Sequence, residues 1–204
     1  MEIVDIYDQH MVWIGRASRD EAHAKGLWHK TFQCWIVKEL EQGLSFLFQR
    51  RSMAKDVFPN LLDKSCGGHL TAGEAVEDGV RELEEELGVV ASFEDLIPCG
   101  VMPVETQVSS TVLDREFCHI FLYPSNRSLN EYQLQEEEVS GLYYVSVQDY
   151  FTLMRQQVEQ ITATGFDRSQ GKTVMRELRA ARSDFTPTSE AYLSYLEKGL
   201  HEIY

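Results

Sequence analysis

The chain has 204 residues, of which 43% are hydrophobic and 25% charged, and this composition predicts one globular domain with a sizeable core. Its formal net charge of −14 argues against a nucleic-acid polymer or an anionic membrane as a partner, because phosphate contacts need clustered lysine and arginine. No apolar run approaches the roughly 18 residues of a membrane span. The N-terminus is acidic and the four cysteines lack a Cys-x-x-Cys spacing, so we expect a cytoplasmic protein.

The N-terminal part of the chain is predicted to form two short strands and a helix. The strands span Ile3–Tyr7 and 11–15, with a hairpin loop between them. A short helix follows and ends near Lys25, and Ser18 is suited to cap its first turn because a serine oxygen accepts from the free backbone N–H groups there.

A basic segment follows two predicted strands of the sheet. Apolar runs at 31–37 and 44–49 have the length of buried strands. Arg50, Arg51 and Lys55 then lie close together in an otherwise acidic chain. Arginine forks match phosphate oxygens and lysine adds a point charge, so this segment is predicted to bind an anionic, phosphate-containing small molecule. Surface salt bridges are the alternative.

A glycine-rich loop then leads into a short amphipathic helix. The helix is predicted over 75–87, and Gly88 suits the left-handed conformation of its cap. With successive residues about 100° apart, one side carries a narrow apolar stripe. The residues of this stripe are Val76, Val80, Leu83 and Leu87.

Glu82, Glu85 and Glu86 gather on a different side of this helix. Three carboxylates on one face repel one another unless a cation lies among them. A hard divalent cation with oxygen ligands meets that need, so the pattern predicts Mg2+, with Mn2+ as an alternative. A solvated acidic face is the competing interpretation.

The second half of the chain is predicted to complete the sheet and then to become helical. Further sheet segments are expected at 93–99, 100–104, 108–113, 116–123 and 139–145, the last after an acidic turn with three glutamates at 136–138. Helices are expected at 150–161, 173–182 and 189–203. The apolar side of the last helix packs on the domain or forms a homodimer contact. One domain over 1–204 therefore has an N-terminal part (1–28), a catalytic core (29–146) and C-terminal helices (147–204).

The loop and the acidic helix together resemble the Nudix box, Gly-x5-Glu-x7-Arg-Glu-U-x-Glu-Glu-x-Gly-U, where U is aliphatic. The matching residues are Gly68, Glu74, Arg81, Glu82, Leu83, Glu85, Glu86, Gly88 and Val89. Only six residues separate Glu74 from Arg81 where the pattern has seven, so the pattern leaves the position of Glu74 open. The resemblance implies an α/β/α sandwich of the α/β class with a mixed sheet and, here, a C-terminal helical extension. It also implies Mg2+-dependent hydrolysis of a nucleoside diphosphate linked to a group X, or of another organic diphosphate.

The same resemblance implies roles for the residues of the box. Glu82, Glu85 and Glu86 are the expected metal ligands, and the backbone carbonyl of Gly68 is an additional one. Glu82 and Glu85 are also the expected catalytic residues, together with Arg81, which orients the helix face. A further carboxylate outside the box serves as ligand or base, and two residues are candidates. Glu116 is favoured slightly, as a metal ligand, and Glu138 is the alternative, as a catalytic residue.

A narrower resemblance, over about 23–144, is to the isopentenyl-diphosphate isomerase branch of this superfamily. The residues that carry it are His29, Arg50, Arg51, Lys55, Pro59, Gly68, His69 and the run 114–118. It implies that Arg51 and Lys55 hold a diphosphate. It also places five residues near metal-binding positions of the isomerase, namely His23, His29, His69, Asp114 and Glu116.

The chain departs from the isomerase at two points. The isomerase needs an acid–base cysteine directly before the Gly-His pair, where this chain has Gly67, and Cys66 lies one residue too early. The isomerase also does without the full glutamate set that this chain keeps. We therefore expect an isomerase-like hydrolase, with isomerisation or non-catalytic diphosphate sensing as the alternatives.

Overall fold

The computed structural model describes residues 2–107 and 113–203, so most of the strand predicted over 108–113 lies outside the described residues. Strands β1 to β11 span, in chain order, Ile3–Tyr7, Trp13–Ser18, Trp28–Leu40, Gly43–Arg51, Leu62–Asp63, Cys66–His69, Ile97–Gln107, Leu113–Pro124, Val139–Ser146, Gln160–Ser169 and Lys172–Ala181. Helices α1 to α4 span Arg19–Lys25, Arg81–Leu87, Val147–Met154 and Glu190–Leu200. Short 3-10 helices span Val76–Val80, Phe93–Asp95, Leu129–Glu131 and Arg182–Asp184.

The strands of the described chain form one mixed sheet around β3. The order along the main path is β11-β10-β9-β4-β3-β1-β2, and the short strands β5 and β6 pair with β4 and β3. Strand β8 runs parallel to β3, whereas β6 is antiparallel to it. Because β3 has neighbours of both directions, residues distant in sequence meet at its N-terminal half.

Strand alternation divides the side chains of the sheet between two cores. Phe32 and Ile36 of β3 pack with Leu83 of α2, on what we call the α2 face. Trp35 of β3 points the other way and packs with Leu196 of α4, on the α3–α4 face. Helices therefore cover both faces of one sheet. This arrangement confirms the α/β/α sandwich with a mixed sheet.

The C-terminal part differs from the prediction in two of its three helices. The helix predicted over 150–161 ends at Met154, and the helix predicted over 173–182 is wrong, because that segment is β11. Its composition includes good helix formers, but pairing with β10, which in turn pairs with β9, overrides local propensity. The last predicted helix is present as α4, and its apolar side packs on the domain.

The N-terminal prediction is close to the structure. Strand β1 has the predicted bounds, whereas β2 begins and ends later than expected, at Trp13 and Ser18. The cap of α1 is as predicted, since the Ser18 side chain accepts a hydrogen bond from the backbone N–H of Glu21 at 3.1 Å. This hairpin lies against the glycine loop, because Gly73 N donates to Asp5 Oδ2 at 2.7 Å.

Candidate active site

The acidic helix of the box is shorter than predicted. A 3-10 helix occupies Val76–Val80, and the α-helical part begins only at Arg81. Gly79 lets the 3-10 turn lie directly on the sheet, because a Cβ there would lie 2.6 Å from the Cβ of Phe32. The helix ends at Gly88, whose φ of 66° is the predicted left-handed cap.

Arg81 links the glycine loop to the glutamates of α2. Its Nε donates to Glu74 Oε1 at 2.8 Å and its Nη2 to Glu74 Oε2 at 3.1 Å. Its Nη1 donates to Glu82 Oε1 at 2.6 Å and to Glu85 Oε2 at 3.0 Å. The guanidinium therefore orients both glutamates of the helix. Glu74 reaches it despite the missing residue because a 3-10 turn rises about 2.0 Å per residue, against about 1.5 Å in an α-helix.

Two of the three predicted ligands on α2 are buried. Glu82 and Glu86 face the sheet, whereas the side chain of Glu85 is 53% exposed. Burial raises the pKa of Glu82 to about 7. Burial and the nearby Glu82 charge raise the pKa of Glu86 to about 8. Gln49 Nε2 donates to Glu86 Oε2 at 3.1 Å and holds that carboxylate in place. Buried carboxylates in repulsion are stabilised by a bound cation.

Gly68 brings the backbone of β6 against this face of α2. A Cβ at Gly68 would collide with the carboxylate of Glu82, so any larger residue would displace one of the two. The backbone of Gly68 therefore lies directly against the carboxylate of Glu82. We call Glu82, Glu85, Glu86, Arg81 and Gly68 the glutamate cluster.

The segment after β4 contributes a lysine to this cluster. Lys55 Nζ forms an ion pair with Glu138 Oε2, and the charges of both residues act on Glu86. The backbone also ties the two segments together, since Ser52 N donates to Glu138 O at 2.8 Å. Lys55 and Glu138 therefore lie beside the glutamate cluster, as expected for a phosphate-binding cation and a carboxylate outside the box.

The two arginines of the basic segment have acceptors within the protein. Arg51 Nη1 donates to Asp63 Oδ2 at 2.9 Å, and its Nε donates to Val57 O at 3.0 Å. Arg50 Nη1 donates to Asp167 Oδ1 at 2.8 Å. The hydrogen bond to Val57 shapes the turn that carries Lys55, so Arg51 supports this turn whatever else it binds.

A second group of ligand atoms lies on the other side of β6. His69 opposes Thr31 of β3, and Glu116 of β8 opposes His29, so these side chains point to the α3–α4 face. One atom each of His23, His29 and His69 lies within 4.8 Å of the others, and the same holds for His29, Asp114 and Glu116. We call these five residues the histidine cluster.

The histidine cluster has the chemistry of a metal site. Among the described residues His29 Nε2 and Asp114 Oδ1 are buried without a hydrogen-bond partner, and they lie 3.6 Å apart. His29 Nδ1 donates to Leu27 O at 2.9 Å, which leaves the Nε2 lone pair facing the cluster. Burial lowers the pKa of His23 and lowers that of His69 well below its ordinary value, so both rings are neutral, as metal ligands must be. Mixed imidazole and carboxylate donors suit Zn2+ or Mn2+.

The structure thus separates the two carboxylates outside the box. Glu138 lies with the glutamate cluster, and Glu116 lies with the histidines, where His69 Nε2 is 3.8 Å from its Oε1. Burial and the nearby Asp114 charge raise the pKa of the partly buried Glu116. Parallel pairing of β8 with β3 sets Glu116 on the α3–α4 face, so its role as a ligand beside the box glutamates stays a prediction.

Several polar residues of the site were missed in the sequence. Gln33, Gln49 and Asp63 are buried, and the two glutamines interrupt apolar strands, which is the one signal that could have revealed them. Cys66, which lies one residue too early for the isomerase's cysteine, has surroundings that fit a structural role. Its thiol is buried opposite Cys34, and burial raises its pKa well above the ordinary value, so it is a poor nucleophile.

The described residues contain no helix long and apolar enough to cross a membrane. The sequence model of the NUDIX domain matches residues 27–164. Over 204 residues the chain is 37% identical to an uncharacterised Nudix hydrolase of Clostridium acetobutylicum, and the match covers 100% of this chain and 98% of that protein. It is also 30% identical to an isopentenyl-diphosphate Delta-isomerase of Aliivibrio fischeri, over 67% of this chain and 75% of that protein.

The fold is also that of a solved structure. A Deinococcus radiodurans protein, determined by crystallography, matches with a TM-score of 0.54 and 22% identity, over 76% of this chain and 89% of that one. The match over 27–164 and the relative aligned over 204 residues show the family of the chain. The chain belongs to the Nudix hydrolases, enzymes that act on pyrophosphate bonds.

Proposed function

We propose that the chain is a Mg2+-dependent hydrolase of a small organic diphosphate in the cytoplasm. The observation that carries this proposal is the buried pair Glu82 and Glu86, which lies between the guanidinium of Arg81 and the ammonium of Lys55. Such a pair is costly in an unliganded domain, and it is the arrangement that a divalent cation with oxygen ligands stabilises.

The residues that would hold Mg2+ are Glu82, Glu85 and Glu86, with the carbonyl of Gly68. Bound there, Mg2+ would offset the charge of the diphosphate and lower the pKa of the attacking water. The protein's own contribution is orientation, because Arg81 fixes two of the carboxylates and Gln49 fixes the third. Preorganised charges of this kind favour the charge that develops in the transition state.

Lys55 and Glu138 have a shared role in this proposal. In the absence of substrate each neutralises the other. A diphosphate competes for the ammonium of Lys55, and this frees the carboxylate of Glu138 to accept a proton from the attacking water. Arg51 keeps its predicted role in binding the diphosphate and also supports the turn that carries Lys55.

The experiment is a comparison of two glutamates on the same helix. Glu85→Gln removes an expected ligand, whereas Glu84→Gln alters an exposed carboxylate that points elsewhere. A panel of nucleotide sugars, dinucleotides, oxidised nucleotides, thiamine diphosphate and prenyl diphosphates is assayed for diphosphate hydrolysis with Mg2+ and with Mn2+, by chromatographic separation of the products. We expect Glu85→Gln to lower kcat by about 100-fold or more, and Glu84→Gln to have little effect. Equal rates in the wild type and Glu85→Gln would refute the proposal.

Isomerisation of a five-carbon diphosphate is a second candidate, favoured by the histidine cluster and by the isomerase relatives. The surroundings of Gly67 argue against isomerisation. A Cβ at this position would lie 2.8 Å from Phe32 O and 3.0 Å from Lys64 Cε, so the place of the isomerase's cysteine is already occupied. Incubation with isopentenyl diphosphate and Mg2+, Mn2+ or Zn2+ decides between the two. Formation of dimethylallyl diphosphate would establish isomerisation, and no conversion would remove it.

A sensing module without catalysis is the third possibility. It predicts that diphosphates bind and that none of the panel is hydrolysed. The retention of all three box glutamates and of their arginine partner speaks against it, because binding alone does not need that complete set.

A further inference from the structure

A buried chain of hydrogen bonds connects α4 to the histidine cluster. Tyr192 of α4 reaches the α3–α4 face of the sheet, where its hydroxyl accepts from Trp35 Nε1 at 3.0 Å. The same hydroxyl donates to Gln33 Oε1 at 2.6 Å. With donor and acceptor both in use, the hydroxyl determines which way the amide of Gln33 points.

The amide of Gln33 is hydrogen-bonded to a thiol, and that thiol is hydrogen-bonded to a carboxylate. Gln33 Nε2 donates to Cys118 Sγ at 3.1 Å, and Cys118 Sγ donates to Glu116 Oε2 at 3.3 Å. Thr31 Oγ1 approaches the same oxygen at 3.4 Å. These donors occupy Oε2, so Oε1 is the oxygen that faces His69.

The geometry points to α4 as a positioning element for the histidine cluster. We infer that Tyr192, through Gln33 and Cys118, holds Glu116 in the orientation in which Oε1 completes a site for a divalent transition-metal ion. Tyr192 is a positioning residue, since it acts through other side chains. Helix α4 lies beyond the 27–164 range matched by the NUDIX domain, so this support is built outside the matched domain.

Side chains that orient a metal ligand without touching the metal contribute to metal affinity. Their loss lowers that affinity about 10- to 100-fold. The chain offers a matched control on the same helix. Tyr195 also uses its hydroxyl, which donates to Val101 O at 3.2 Å, but it has no part in the chain that leads to Glu116.

The test is a titration of the 204-residue protein with Zn2+. Excess Mg2+ is present to occupy the glutamate cluster, which offers oxygen ligands, so that Zn2+ reports on the histidine cluster. Co2+ absorption spectra report on ligand geometry in the same variants. We expect Tyr192→Phe to weaken Zn2+ binding about 10-fold or more and to alter the Co2+ spectrum. Tyr195→Phe should bind Zn2+ as the wild type does.

A second variant separates positioning from folding. Cys118→Ala cuts the chain in its middle and leaves the bonds among Trp35, Tyr192 and Gln33 intact. We expect it to weaken Zn2+ binding as Tyr192→Phe does, the double variant to be no weaker than the weaker single one, and Cys118→Ser to restore binding in part. Thermal unfolding without metal confirms that each variant is folded at the titration temperature.

Two results would overturn the inference. Unchanged Zn2+ affinity and Co2+ spectra in folded Tyr192→Phe and Cys118→Ala would show that Glu116 needs no support from α4. A wild type without bound Zn2+ or Co2+ would remove the metal site itself. Neither result bears on the proposed hydrolysis, which depends on the glutamate cluster and is measured by chromatography of its products.

Discussion

The glutamate cluster and the histidine cluster lie on opposite faces of β6, and their buried polar groups differ in kind. Gly68 and His69 are neighbours on β6, yet Gly68 lies against Glu82 on the α2 face while His69 points to the α3–α4 face. In the glutamate cluster, burial raises the pKa of Glu82 and Glu86, and the charges of Arg81 and Lys55 oppose that rise. In the histidine cluster, burial lowers the pKa of His23 and His69, and two buried polar atoms have no hydrogen-bond partner among the described residues.

This difference separates what each cluster can bind. Carboxylates with a backbone carbonyl suit a hard cation such as Mg2+, whereas imidazoles mixed with carboxylates suit a transition metal. Strand alternation therefore places adjacent residues of β6 in two chemically distinct clusters. Variants that damage one cluster and spare the other test whether the two are independent.

The largest effect is expected for Gly68→Ala. The added methyl group collides with the Glu82 carboxylate and displaces it. We expect the Mg2+-dependent rate to fall by about 100-fold or more, because a misplaced ligand loses transition-state stabilisation. Chromatography of the hydrolysis products measures this rate. Zn2+ affinity at the histidine cluster should stay close to that of the wild type, and an active Gly68→Ala enzyme would contradict the geometry.

Local signals in the sequence were sufficient for the glutamate cluster. The apolar stripe, the spacing of the glutamates and Gly88 all lie within one short segment, and the structure has the helix and cap that they predict. The one error there, an α-helix in place of the 3-10 turn at Val76–Val80, followed from treating the whole segment with one periodicity. Even so, Arg81 contacts Glu82 and Glu85 as the pattern implies.

The histidine cluster depends on contacts that no local pattern contains. Glu116 meets His29 only because β8 pairs in parallel with β3, and the chain from Tyr192 to Gln33 joins residues 159 positions apart. The strand β11 was missed for the same reason, since a segment of helix formers becomes a strand when a hairpin can pair with the sheet. Only the resemblance to the isomerase suggested these ligands, and their role stays a prediction.

A smaller effect, confined to the other cluster, is expected for His23→Gln. His23 lies on α1 with its Nε2 3.3 Å from His69 Nε2 and 3.6 Å from Asp114 Oδ1. Removal of one ligand should weaken Zn2+ binding about 10- to 100-fold, by calorimetric titration, and leave Mg2+-dependent hydrolysis unchanged. His10→Gln, in the exposed hairpin loop, is the control. A loss of hydrolysis in His23→Gln would mean that the two clusters act as one site.

The smallest effect is expected in the pH dependence of stability of the metal-free protein. The two clusters change this stability in opposite directions as pH rises. Folding raises the pKa of Glu82 to about 7 and of Glu86 to about 8, so their contribution to stability is present below their ordinary pKa of 4.5 and is lost as pH rises through 7 and 8. Folding lowers the pKa of His23 and His69, so their contribution is present above the ordinary value of 6.5 and is lost as pH falls.

The free energy of unfolding in EDTA should therefore be highest on the acid side of neutrality, fall by about 1–2 kcal/mol as pH rises through 7 and 8, and fall again at lower pH as the histidines become protonated, as urea denaturation would show. Mg2+ should remove the alkaline decline, because it binds the ionised glutamates, and Zn2+ should reduce the acid decline, because it binds neutral imidazoles. The double variant Glu82→Gln/Glu86→Gln should lose the alkaline arm alone. Stability that rises steadily from pH 6.5 to 8.5 without metal would show that the buried glutamates do not titrate in the folded protein as their surroundings require.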